Sequence, residues 1–334
     1  MIRMSLFAGL LLSAAAAVAA DKPLSAADQV AQMKRGVNII GYDPLWRDAA
    51  QARFKPRLFK VIKDGGFDNV RMALGAFRFM NEKNELPASW FATLDPLVDE
   101  APKQKLTVIL DEHDYGNCGK DPATCKVKLL AFWTQVAEHF KNAPPQVVFE
   151  ILNEPNGAMD AVWNDLHPEA LAVIRKTNPD RNVIIGPAFW NNVGWLDRLK
   201  LPAADRHVIV TVHYYLPMSF THQGARWAPE YVDKLGVTWG TPAEYAAIDK
   251  DFDAVQAWAK QNDRPIFLGE FGAYDKGPME SRVKYTAAVA RAAEKRGWAW
   301  AYWQFDSDFI VYDIDRDQWV KPIKDALVPT APAS

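Results

Sequence analysis

Eight short β-rich runs, each followed by a stretch with helical apolar spacing, recur along this 334-residue chain and limit what it can become. The runs occupy residues 36–42, 67–72, 106–112, 146–153, 182–187, 207–214, 265–270 and 298–304. Helices are expected at 56–64, 93–101, 127–141, 160–177, 193–199, 247–261, 280–295 and 317–327. Strands separated by helices are joined in parallel, and eight such units make a single-domain (β/α)8 TIM barrel. In the last run Trp298, Trp300 and Tyr302 share one face, and Ala299, Ala301 and Trp303 share the other. The small residues suit the tight barrel axis and the bulky ones the outer helices, which leaves Trp303 rising at the axis on the C-terminal rim.

That rim is where parallel barrels do chemistry, so polar residues at strand ends are the functional candidates. In VVFEILNEPNG, residues 147–157, an apolar strand runs into Asn153 and Glu154, and Pro155 takes the chain out of the ladder. Taken alone, Asn-Glu-Pro-Asn also reads as a helix N-cap. IFLGEFGAY, residues 266–274, repeats the pattern and ends its strand at Glu270. The same counting brings Arg71, His113, His213 and Tyr215 to the rim, with Glu150 and Asp111 turned inward as possible partners of Arg71. Two carboxylates among His, Tyr, Trp and Arg suit glycoside hydrolysis, in which one acid protonates the leaving oxygen and the other serves the anomeric carbon. Retention of configuration needs the pair roughly 5 to 5.5 Å apart, and inversion needs more.

The remaining features narrow the class. A net charge of -2 offers no basic surface for nucleic acid or anionic membranes. Thirteen Trp are a high count, and Trp is a flat platform for sugar rings as well as a core residue. Trp46, Trp90 and Trp190 lie near strand or loop ends, where packing and outer sugar subsites are both open, whereas Trp133, Trp163 and Trp258 fall in helices and read as structural. His139, His167 and His207 belong to no motif and read as surface or packing residues. Arg3, the apolar run 6–19 and Ala17-Val18-Ala19 before Asp21 form an export signal over residues 1–20, which leaves 21–330 as the catalytic domain and a secreted or periplasmic location. In an exported chain Cys118 and Cys125, with six residues between them, suggest a disulfide worth about 2 to 3 kcal/mol. Two thiols without a His pair do not make a zinc site, and no metal or organic cofactor is called for.

Asn153-Glu154-Pro155 after its strand, Glu270 in LGEFGAY and Trp303 in AYWQF together resemble glycoside hydrolase family 5, the large cellulase family of (β/α)8 barrels, over nearly the whole chain after residue 20. The resemblance implies a retaining mechanism with Glu154 as general acid/base and Glu270 as nucleophile. It also implies substrate-side roles for Arg71, His113, Asn153, His213, Tyr215 and Trp303. Arg71 would keep Glu270 ionised, Tyr215 would hold it through the phenol, and Asn153 would reach the 2-hydroxyl of the reacting sugar. FTHQGARW, residues 220–227, is similar to a bacterial branch of endoglucanases that often cleave mannan too, and there His222 and Trp227 would reach the substrate. Asp114 and Gln304 depart from that branch, which usually has His and Glu at these places. The expected activity is endo-β-1,4-glucanase acting as a monomer on a β-linked polysaccharide. The alternatives are a β-mannanase or mixed-linkage β-glucanase and, from another class, a non-hydrolytic carbohydrate-binding barrel.

Overall fold

The computed structural model describes residues 22–329; the export signal expected over residues 1–20 lies outside them. Eight parallel strands, β1 (Arg35–Ile39), β2 (Asn69–Leu74), β3 (Thr107–Glu112), β4 (Val147–Glu150), β5 (Val183–Ile185), β6 (Val208–Tyr214), β7 (Ile266–Phe271) and β8 (Ala299–Tyr302), pair in sequence order. Pairing of β1 with β8 closes the barrel. In chain order the helices are α1 (Ala26–Met33), α2 (Arg57–Asp64), α3 (Ala88–Lys103), α4 (Tyr115–Lys120), α5 (Pro122–His139), α6 (Trp163–Arg175), α7 (Pro242–Asn262), α8 (Met279–Lys295) and α9 (Lys321–Leu327). Between β5 and β6 the expected helix over 193–199 is a 3-10 segment, Val193–Arg198. A long section, residues 215–241, separates β6 from α7. It holds a helical turn at Met218–Thr221, and Gln223 stitches it by accepting from Val237 N and donating to Val237 O, both at 3.0 Å.

The alternation read in β8 holds. Trp298, Trp300 and Tyr302 join the large core between strands and helices, while Ala299 and Ala301 face the axis with Ile109, Val148, Ile184, Ile209 and Phe267. The axial cluster also contains Ala26, Val30 and Met33, so α1 plugs the floor of the barrel. This helix went unread in the sequence because its apolar face is short and one buried position is Gln29, which accepts from Asn182 Nδ2 at 3.3 Å. The helical Trp residues do pack internally, but two of them also brace the rim. Trp133 donates to Ile151 O at 2.9 Å and Trp163 to Gly186 O at 2.8 Å, just past β4 and β5. Trp46 and Trp90 stack on each other at 5.2 Å and are buried, which settles them as packing; Trp190 stands on the surface.

β7 carries the irregularity that matters most. The register with β6 pairs Val212 with Leu268 and then His213 with Glu270, skipping Gly269. A β-bulge of this kind resets which face the following residues take. Phe267 points to the axis, and without the bulge Glu270 would lie on the helix side with Leu268. Only glycine fits there, since a Cβ on residue 269 would sit 2.5 Å from Thr211 Oγ1 and 2.9 Å from His213 Nε2.

Candidate active site

Arg71 is the fully buried centre of the rim. Its side chain rises from β2 with Nε and Nη2 forked onto Glu150 of β4 at 2.7 and 2.9 Å, Nη1 donating to Glu270 Oε1 at 2.7 Å and to Asn38 Oδ1 at 2.9 Å, and Nη2 donating to Asn153 Oδ1 at 2.7 Å. Asp111 Oδ2 lies 3.1 Å from Nη2. The planar fork of donors suits a guanidinium and not an ammonium. Asn38 was not foreseen. It is a lone amide in the apolar strand β1, and its Nδ2 donates to Gly269 O at 3.0 Å, so it fastens the bulge while its oxygen orients Arg71.

The two carboxylates meet across this base. An oxygen of Glu154, an oxygen of Glu270 and a ring nitrogen of His213 all lie within 4.8 Å of one another. Their partners differ. Glu270 accepts from Arg71 and, at 2.9 Å, from the Tyr215 hydroxyl. Glu154 lies 2.8 Å from His213 Nδ1. Asn191 Nδ2 approaches the other ring nitrogen at 3.3 Å, an arrangement that leaves the proton on Nδ1 and directs it at Glu154. Asn191 was missed because it follows β5 in a run of left-handed residues, Phe189, Trp190 and Asn191, that no sequence pattern marks.

Burial pushes Glu154 up to about 7, with the charge of Glu150 adding to it. Burial is the first cause of this rise. Glu270 is also raised by burial and by the charge of Glu154, but it holds a full positive charge and a phenol donor. These two contacts favour the ionised form of Glu270, and Glu154 has neither of them. Burial lowers His213 and His113 to about 4, so both rings are neutral near pH 7 and their carboxylate contacts are hydrogen bonds rather than ion pairs. His113 Nδ1 lies 2.6 Å from Asp111 Oδ2. Burial lifts Asp111 to about 8 against the pull of Arg71, in keeping with an Oδ1 that is buried without a partner. Burial keeps Tyr215 protonated, as a donor must be.

The other sequence candidates divide. Trp303 lies at the rim with its ring parallel to His113, centroids 5.6 Å apart. Trp227 is half exposed and meets Tyr274 edge-on at 4.8 Å. His222 is nine-tenths buried, its Nδ1 2.9 Å from Thr221 Oγ1 and its ring 5.1 Å from that of Tyr215, so it braces the phenol from behind. Glu154 caps no helix. It sits in left-handed backbone at φ 41°, and the following 3-10 turn, Gly157–Ala161, has no side-chain cap. Asp114 accepts from Phe77 N at 2.8 Å, and Gln304 is buried with Nε2 unpartnered, so Asp114 has a bonding role here and Gln304 Nε2 has none. Cys118 and Cys125 form the expected disulfide.

Residues 30–308 match the family model described as cellulase (glycosyl hydrolase family 5). The chain belongs to that family. This family 5 chain is 30% identical over 317 residues to Endoglucanase H of Acetivibrio thermocellus, covering 90% of its own length and 33% of that protein. It therefore spans only about a third of that relative's length. Endoglucanase Cel5A of the hyperthermophile Thermotoga maritima is 37% identical, with a TM-score of 0.86 over 91% of this chain and 100% of Cel5A. Cel5A has been crystallised in complex with cellobiose and with mannotriose. The Clostridial cellulose synthase subunit Z of Clostridioides difficile is 35% identical, with a TM-score of 0.84 over 89% of this family 5 chain and 99% of that one.

Proposed function

We propose that the protein is an exported, monomeric, retaining endo-β-1,4-glucanase, with residues 21–330 as one catalytic domain, Glu270 as nucleophile and Glu154 as general acid/base. The observation that carries this reading is the unequal bonding of two carboxylates whose oxygens lie within 4.8 Å. That spacing fits the retaining class, which leaves no room for a water between the acids. In the first step a Glu270 oxygen bonds to the anomeric carbon as the glycosidic C–O bond breaks, and the Glu154 proton passes to the departing oxygen. In the second, Glu154 takes a proton from water as that water displaces Glu270. Asn153 accepts from Arg71 through Oδ1 and sets Nδ2 3.5 Å from His113 Nε2, so the second N–H of Nδ2 is the one that donates to the sugar 2-hydroxyl, a bond that strengthens in the transition state. Trp303 floors the reacting subsite, and Trp227 stands farther out on the same rim. The export pattern read at 1–20 supports a location in the periplasm or the medium, and among the described residues no helix is long and apolar enough to cross a membrane.

The test is Glu270→Ala, with azide as external nucleophile. Hydrolysis of carboxymethylcellulose should fall roughly 10^4-fold or more, and azide should restore turnover of an activated aryl cellobioside by attack from the vacated face. Ordinary turnover without azide would rule the mechanism out. A second reading, β-mannanase or mixed β-glucanase, draws support from the mannotriose complex of Cel5A. Initial rates on carboxymethylcellulose, lichenan, xyloglucan and glucomannan separate the two. Tight oligosaccharide binding with no new reducing ends would instead indicate a non-hydrolytic barrel.

A further inference from the structure

We infer that the disulfide-closed segment between β3 and α5 is a strut for Glu154, with Gly119 and Asn156 as positioning residues; this rests on the acid/base role proposed for Glu154. Glu154 holds an unusual backbone for a non-glycine residue, φ 41°, a conformation that persists only where its surroundings impose it. Asn156 supplies part of that constraint, since its Nδ2 donates to the carbonyl of Glu154 at 2.8 Å and closes the turn around Pro155. Behind the Asn156 side chain lies Gly119 of α4. A Cβ on residue 119 would fall 2.3 Å from Asn156 Oδ1 and 3.0 Å from Asn156 O. The contact is reciprocal, because a Cβ on Gly157 would fall 2.8 Å from Gly119 O. The acid's turn and α4 are thus pressed together through the Asn156 side chain at Gly119 and backbone to backbone at Gly157.

What holds α4 there is the bridge. Cys118, the residue before Gly119, is fully buried and bonded to Cys125 in the first turns of α5. α4 has only six residues, too short to hold its place by its own hydrogen bonds. At its other end Tyr115 meets His113 edge-on at 5.2 Å, so the segment spans from one rim residue to the turn of another. Loosening the clasp would let Gly119 retreat from Asn156 and let Glu154 relax from its left-handed conformation. The carboxyl would then lose its aim at the leaving oxygen, while Glu270, held by Arg71 and Tyr215 on the far side, would keep its own.

The consequence is a defect confined to proton donation, which leaving-group dependence reads directly. A dinitrophenolate departs without a proton and a phenolate does not, so kcat/KM for 2,4-dinitrophenyl and phenyl β-cellobioside separates acid catalysis from everything else. Gly119→Ala, which keeps the bridge, and Cys118→Ala/Cys125→Ala, which keeps the glycine, are compared with Glu154→Ala and the parent, each at the concentration of folded protein found from its melting curve. Both clasp variants should lose about tenfold on the phenyl substrate and less than about twofold on the dinitrophenyl one, a muted copy of Glu154→Ala. Equal losses on both substrates, or no loss on either, would overturn the strut while Glu154→Ala still discriminates. If Glu154→Ala itself failed to discriminate, it would be the acid/base assignment that had failed. Should one clasp variant not fold, the other decides.

Discussion

At the floor of the barrel Ile109, Val148 and Ile209 meet α1, and two residues farther along the same strands Asp111, Glu150 and Thr211 line the layer below the reacting groups. The step between the layers is about 6 to 7 Å. Below it the strands bury hydrocarbon against hydrocarbon, and above it they bury three carboxylates around one guanidinium. A parallel barrel can thus keep its cohesion and its chemistry in adjacent layers of a single interior, and the comparison predicts that damage to one should read differently from damage to the other.

The largest effect is expected from Arg71→Met. Asp111, Glu150 and Glu270 would lose their shared cation, and breaking a buried ion cluster from one side costs about 3–5 kcal/mol. Urea unfolding should show that loss together with undetectable hydrolysis; full stability with dead chemistry would break the claim that the rim cluster is also structural. Next is Ile184→Ala on the floor, worth about 2–5 kcal/mol in the same unfolding assay. Its kcat/KM at 25 °C should stay within about twofold of the parent, and a large kinetic loss would mean that the layers are coupled.

A third test sharpens the account of the rim through pH. The acid step needs protonated Glu154, whose folded value is raised to about 7, so kcat/KM should be level until about a unit below pH 7, halve near pH 7 and approach a tenfold fall per unit about a unit above it. An alkaline limb beginning near the ordinary carboxylate range would mean that burial does not set this group. The smallest effect is expected at Trp227→Ala, far from both layers and half exposed. Loss of one stacking face should raise KM for cellohexaose about threefold to tenfold with kcat little changed. A fall in kcat would place this residue nearer the reaction than its position suggests.

Much of this was legible in the chain because it follows from periodicity. Trp298, Trp300 and Tyr302 against Ala299 and Ala301 gave β8 its two faces, and apolar runs stopped at Glu154 and Glu270 marked strand ends. Strict alternation fails at Glu270 itself, where the Gly269 bulge turns the carboxylate inward. The isolated Gly269 inside an apolar strand is the local mark of that bulge, but the crowding by Thr211 and His213 that requires glycine there comes from the neighbouring strand. Asn38 and Asn191 were missed for a related reason, as each acts through a partner, Arg71 or His213, that lies far away in sequence. Helix α1 was missed because its meaning is a hole in the barrel floor, which exists only once the barrel does.

The apolar surface that receives Ala26, Val30 and Met33 is contributed by β3, β4, β5, β6, β7 and β8, elements spread over nearly two hundred residues of chain. Until the final strand has taken its place beside the first that socket is incomplete, so α1 gains its full set of partners only when the ring is closed. The helix is thus a stopper whose seat is shared among six strands, and its burial reports closure of the ring.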